Sequence, residues 1–251
     1  MILILLLILL IVFNIKRPKT TNQTIIFTCT TYLSKPNKLN HFLHAIDSIP
    51  DKYLIDKFLV INEYDESNTI DYQKIINNKY PYIDFIQKTN INKGQAKSLN
   101  IILDQISNYT YWIHWEESWI AKTSFIYKSI NIMNKDLTIS QLQFTPDWDS
   151  DISEDRKIRY NDYFILKSHS LYNKVYNNDN VITWPLYSLR PSINRVSFYL
   201  KCDKFDENPK LWPIKFEYEY GIKWLNNNAV KALIQPPIAF RQSNHISTYR
   251  V

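Results

Sequence analysis

The chain has 251 residues, 45% of them hydrophobic and 22% charged, the balance of a folded protein with a sizeable core rather than of a disordered one. Its two glycines, Gly94 and Gly221, exclude the glycine-rich phosphate loops, which need close backbone approach at several positions. The net charge of +6 is spread over interleaved acids and bases, which argues against nucleic acid as a partner and leaves a mild field favouring phosphate-bearing ligands and anionic membranes.

Met1 to Phe13 is uninterrupted apolar, followed by Asn14, Ile15 and the basic residues Lys16, Arg17 and Lys19. As a helix, such a stretch reaches ~20 Å, short of the ~30 Å hydrocarbon core. No basic residue precedes it and no small-residue cleavage site follows, so residues 1–15 are expected to be a short uncleaved signal anchor. The basic flank would hold the body of the protein on the cytoplasmic side; the side is left open. Residues 16–23 read as a polar linker. Cys29 and Cys202 are too few for a disulfide framework or a zinc site and are expected to be buried thiols.

Thr24 to Tyr32 is β-branched and apolar and reads as a buried first strand ending in hydroxyls. Leu39, Phe42, Leu43 and Ile46 then recur at i, i+3, i+4 and i+7, the spacing of an amphipathic helix within 36–48. His41 and His44 lie on that helix and are expected to be structural. Phe58 to Glu63 is a second strand with acids at its end, Glu63, Asp65 and Glu66. A helix over about 70–79, a strand over 82–87 and a helix reaching Ile106 follow. Tyr111-Trp112-Ile113-His114-Trp115 is an apolar strand that ends abruptly in Glu116 and Glu117. Burying paired carboxylates is costly without a partner, which a metal ion, a sugar hydroxyl or a nucleotide would supply. Strand–helix alternation predicts a mostly parallel sheet with helices on both faces. The polar ends at Thr30–Tyr32, Glu63–Asp65 and Glu116–Ser118 then converge on one crevice at the carboxyl edge, where ligands collect in such sheets.

From Thr24 onward the chain resembles the GT-A glycosyltransferases, in particular the family-2-like enzymes. Asn92-x-Gly94-x-x-x-Ser98-x-Asn100 is similar to a segment that precedes their acidic strand. His114-Trp115-Glu116-Glu117-Ser118-Trp119 is similar to the His-x-Glu-Asp-Asp-Trp of bacterial and giant-virus members. The resemblance implies an α/β GT-A fold, with 24–120 as the nucleotide-sugar half and 121–251 as the acceptor half. It implies a nucleotide-diphosphate sugar donor held by Thr30, Thr31, Tyr32, Glu63, Asp65, Asn100, Glu116 and Glu117. Lys93, Lys97, Arg190 and Arg241 are expected at the diphosphate, since guanidinium and ammonium groups suit phosphate oxygens. A Mn²⁺ or Mg²⁺ ion is implied as cofactor, with Glu117, Ser118 and His245 at the metal. Ser118 departs from the family pattern, because a hydroxyl is a poor ligand for such ions beside a carboxylate.

In the second half, a helix over about 124–134 and a strand over 139–144 precede an acid-rich stretch, 147–162, read as a loop. Trp184 to Ser192 is similar to the family's Ser-Leu-x-Pro-Ser segment, and Phe216-Glu217-Tyr218-Glu219 to the place where inverting members carry their base. The resemblance makes Glu217 the general base, with Glu219 as its rival, and a glycan or glycoprotein hydroxyl the acceptor. Trp119, Trp184 and Tyr187 are expected to form apolar platforms for the acceptor sugar. The expected setting is a membrane-anchored transferase of a large DNA virus, in the host cell or the virion. The alternative is a degenerate relative that binds nucleotide or glycan without turnover.

Overall fold

The computed structural model describes residues 23–35, 37–145, 157–166, 173–177, 180–184, 187–207 and 215–242. The expected anchor over 1–15 and nearly all of the linker lie outside them. Among the described residues no helix is long and apolar enough to cross a membrane.

The first half alternates as its periodicities require. Strand β1 (Ile25–Thr31) is buried along its whole length. Helix α1 (Lys38–Asp47) follows and packs Phe42, Ala45 and Ile46 against it. Then come β2 (Lys57–Asn62), α2 (Tyr72–Lys79), β3 (Ile83–Gln87), α3 (Gln95–Gln105) and β4 (Tyr111–Glu116). The carboxylate of Asp71 caps α2 by accepting from Lys74 N at 2.9 Å, satisfying one of the donors a helix start leaves open. Gly94, at φ 108°, sits immediately before α3. Nothing lies within 4 Å of where its Cβ would be, so glycine is required there by the backbone conformation rather than by crowding.

The second half holds β5 (Trp119–Ala121), α4 (Ile126–Lys135), β6 (Ile139–Gln143), β7 (Lys157–Arg159), β8 (Tyr163–Leu166), β9 (Asn173–Asn177) and β10 (Asn180–Trp184). It closes with β11 (Ser192–Arg195), α5 (Val196–Tyr199), α6 (Lys215–Asn226), β12 (Val230–Ile234) and β13 (Ala239–Arg241). The nine-stranded sheet runs β3-β2-β1-β4-β11-β6-β12-β8-β7. Pairing is parallel from β3 through β4 and between β6 and β12. Only β11 and β8 run against the other strands of this sheet. The stretch read as a loop over 147–162 needs correction at its end: 157–159 pairs antiparallel with 163–166 at the sheet edge, while 146–156 lies outside the described residues. A small ribbon of β5 with β13 and a hairpin of β9 with β10 stand apart from the main sheet.

Period-2 alternation sorts the strands onto two cores. Ile25, Phe27 and Cys29 of β1 and Tyr111, Ile113 and Trp115 of β4 meet α1, α2 and α4 on one face. Ile26 and Trp112 meet α3, α5 and α6 on the other. The chain leaves β1 toward β2 and β3, then crosses back to place β4 on the other side of β1. That reversal is the topological switch point, and ligands in such sheets collect at the carboxyl ends of the strands there, here β1 and β4.

Candidate active site

Thr30 of β1 pairs in register with Glu116 of β4 at this switch point. Since Trp112 faces the α6 side, the two-residue period sends His114 and Glu116 to the same side. Trp112 Nε1 donates to Thr28 Oγ1 at 2.7 Å, and that hydroxyl meets His114 Nδ1 at 3.3 Å. Burial drives the His114 pKa down to about 3, so the ring is neutral, with Nδ1 on the Thr28 hydroxyl and Nε2 buried without a hydrogen-bond partner among the described residues. The histidine is a core residue of the motif, not a ligand-facing one.

Glu116 accepts from Trp119 Nε1 at 3.1 Å. Burial first, and then the neighbouring Glu117, push its pKa up to about 7; Trp119, Arg190 and Arg241 act against that rise. Helix α6 brings a second acid over the same face. Phe216, Tyr220 and Trp224 plant one side of it in the core, and that contact sets the rotation of Glu217 in its first turn. Glu217 Oε1 accepts from Leu189 N at 3.0 Å. Its pKa too is pushed up to about 7, by burial above all and also by Glu116, against Leu189 N–H, Arg190 and Lys231. Lys231, on β12 and 7% exposed, completes the group. Burial first, and then Arg190, pull its pKa down to about 7, while Glu217 raises it. Two carboxyls and one amine that titrate near neutrality, each acted on by the Arg190 guanidinium, form an environment able to take and give protons. Glu219 lies about 200° round the helix from Glu217, so the two acids face different ways.

Glu117 is oriented differently from Glu116. Its carboxylate is paired with the ammonium of Lys38 at the start of α1, and the two side chains are 9% and 5% exposed. Ser118 is buried as well. Gln242 pins this turn, donating from its backbone N to Ser118 O at 2.9 Å and from Nε2 to Glu117 O at 2.8 Å. The donor set therefore does not fit a divalent ion. Glu117 is neutralised internally by Lys38, and Ser118 supplies only a hydroxyl. Among the described residues no three His, Cys, Asp or Glu side chains are grouped to hold a metal. His245 lies outside the described residues.

At the expected nucleotide end, Thr30 and Thr31 are buried and Tyr32 is half-buried. Thr31 Oγ1 has no hydrogen-bond partner among the described residues. Asp65 accepts from Ser34 and Ser67, which hold its carboxyl below the ordinary range. Glu63 is engaged within the protein: it accepts from Lys88 Nζ at 2.7 Å, Gly94 N at 3.0 Å and Ser98 Oγ. It ties the loop before α3 to β2. Asn100 is likewise occupied, bonding Phe205 through both main-chain groups and reaching Glu207 at 2.8 Å. Lys93 is exposed, and Lys97 donates to Ile91 O at 2.6 Å.

Two expected acceptor platforms are corrected by burial. Trp119 and Tyr187 are each 1% exposed, so neither ring offers a face for stacking. Trp119 carries Arg241 over its ring at 5.1 Å, and Tyr187 sits among Tyr199, Phe205, Tyr220 and Trp224. Trp184 ends β10. Arg241 also lines an open cavity of about 700 Å³ with His41, His44, Lys122, Phe240 and Gln242. The sequence reading missed Lys38, Lys88 and Lys231. Their lysine identity carries no signal, because lysine is ordinarily a surface residue; only an isolated lysine within an apolar strand, as in Val230-Lys231-Ala232-Leu233, marked one of them.

No protein-family model and no curated protein matches the sequence. Among solved structures, the fold is similar to GalNAc-T7 with UDP, GalNAc and Mn²⁺, at a TM-score of 0.59 and 11% identity, covering 86% of this chain and 43% of that one. It is similar to S. aureus TarS 1-349 at 0.58 and 13%, covering 87% and 60%. The same TarS fragment in complex with UDP-GlcNAc gives 0.56 and 14%, covering 91% and 62%. The chain thus spans less than two thirds of the solved proteins it matches. At these identities the likeness shows the fold, a GT-A-like α/β arrangement.

Proposed function

We propose that the chain is a glycosyltransferase that moves a sugar from a nucleotide-diphosphate donor to a hydroxyl of a glycan or glycoprotein, with inversion. The observation that carries this reading is the meeting of Glu116 and Glu217. One comes from the end of β4 and the other from the first turn of α6; the charge of Glu116 acts on Glu217, and Arg190 acts on both. The GT-A-like fold supports it, as do the UDP and UDP-GlcNAc present in the neighbours' structures.

In this reading Glu217 accepts the proton of the acceptor hydroxyl while that oxygen attacks the anomeric carbon. The bond from that carbon to the diphosphate breaks, and the nucleoside diphosphate leaves with the electron pair. A base poised near neutrality suits the step, and the start of α6 favours the carboxylate form that begins it. Arg190 and Arg241 meet the charge growing on the leaving diphosphate. The charge of Lys231 favours the ionised form of Glu217. No step is routed through a metal, because the acids of the 116–118 turn do not fit one. Residues 1–15, apolar throughout most of their length, would attach the domain to a membrane.

The buried Ser118 favours the second reading, a binder of nucleotide or glycan without turnover. The test is to incubate the full chain with a panel of UDP- and GDP-sugars and measure released nucleotide. Release of one nucleotide supports the transferase. Binding of a nucleotide with no release, across donors and with candidate acceptors present, supports the binder.

A further inference from the structure

The acidic turn between β4 and β5 already contains a cation. The Lys38 ammonium is paired with Glu117, and the side chains are 5% and 9% exposed. Neither is a surface pair free to exchange partners with solvent ions. Cys29, fully buried on β1, senses the same arrangement: burial raises its pKa most, Glu117 and Glu116 add to the rise, and Lys38 opposes it. The pair joins the residue directly after β4 to the start of α1. Lys38 reaches it because α1 begins there, with Phe42 and Ile46 locking the helix against the core. Gln242 closes the other side of the turn through Ser118 O and Glu117 O.

A divalent ion at this turn would need Glu117 as a ligand and would lie beside an ammonium of like charge that cannot move into water. Ser118 offers no second carboxylate. We infer that Lys38 takes the place of a divalent cation in this chain: its ammonium neutralises the acidic turn, and arginine side chains meet the phosphates directly. The positive groups that act on Glu116 from the other elements are Arg190, before β11, and Arg241, on β13. The diphosphate half of this inference rests on the transferase reading; the pairing of Lys38 with Glu117 does not.

The test uses the full chain, with Mn²⁺ uptake followed by electron paramagnetic resonance and UDP affinity followed by calorimetry in Mn²⁺ and in EDTA. The wild type is expected to take up no Mn²⁺ and to bind UDP equally well in both. Lys38→Met, which frees Glu117, is expected to gain Mn²⁺ uptake and to bind UDP about tenfold more tightly with Mn²⁺ than with EDTA. The gain should vanish in the double variant Lys38→Met/Glu117→Gln, which is neutral at both positions. Wild-type protein that takes up Mn²⁺, or whose UDP affinity falls about tenfold in EDTA, overturns the inference, and this arm decides even where Lys38→Met does not fold. Absence of UDP binding under every condition overturns the transferase reading instead, while the Mn²⁺ titration still decides the role of Lys38.

Discussion

Glu217 stands between opposed forces. Burial and Glu116 favour its neutral form, while Leu189 N–H, Arg190 and Lys231 favour the carboxylate. Glu217→Gln keeps the shape and the hydrogen bond to Leu189 but removes the proton acceptor, so transfer is expected to fall about 10²–10⁴-fold with nucleotide affinity unchanged. The rate of the wild type should rise through about pH 7 as Glu217 ionises. Lys231→Met removes a charge that lowers the Glu217 pKa, so this rising limb should move to higher pH; a pH–rate profile of the variant checks the direction. Stability carries the same signs. A carboxyl whose folded pKa is raised from 4.5 to about 7 adds stability that is full below about pH 4.5 and lost as pH climbs through about 7. Glu217→Gln lacks this loss, so its melting temperature relative to wild type should increase across that window, by on the order of 5 °C. Lys231 has the opposite sign, since its pKa is lowered from 10.5 to about 7. Its stability is full above 10.5 and lost as pH falls through about 7, so Lys231→Met should gain on wild type toward neutral pH.

Elements are joined here by side chains that a periodicity cannot reveal. Asp51, in the turn after α1, accepts from Phe125 N at 2.9 Å and Ile126 N at 2.7 Å, satisfying the start of α4 from a distant part of the chain. Asp51→Ala should cost about 1–2 kcal/mol in a denaturant titration, with the first turn of α4 losing hydrogen-exchange protection. Lys88, whose side chain is fully buried, joins β3 to Glu63 at the end of β2 and to Ser98 on α3. Strands β1 to β4 and α1 were legible because their apolar residues recur with period 2 or at 3.6-residue spacing, or, in β1, β2 and β4, because nearly every residue is buried. The edge hairpin of β7 and β8 was not, since charged residues dominate its approach. The start of helix α6 was not legible, because Phe216-Glu217-Tyr218-Glu219 alternates as a strand does; its register is set by Phe216, Tyr220 and Trp224 entering the core.

For the whole molecule, the reversal of strand order at β1 and β4 was readable in advance from the strand–helix alternation, and the charge of Glu116 reaches Glu217 from α6. The roles of Glu63, Asn100, Trp119 and Tyr187 were not readable, because internal partners or burial claim them, and long-range packing alone decides that. The missing piece was positive charge: Lys38 and Lys231 enter from α1 and β12, far from any motif, and together with Arg190 they set the electrostatics of the acids. The central claim is that Glu217 takes a proton in sugar transfer from a nucleotide donor. The most direct measurement is nucleotide release from a panel of UDP- and GDP-sugars by wild type and Glu217→Gln, with nucleotide affinity measured on the same samples. The account predicts release by the wild type, rising through about pH 7, and its loss in the variant with affinity retained. Equal release by the two proteins, or no nucleotide bound by either, would contradict it.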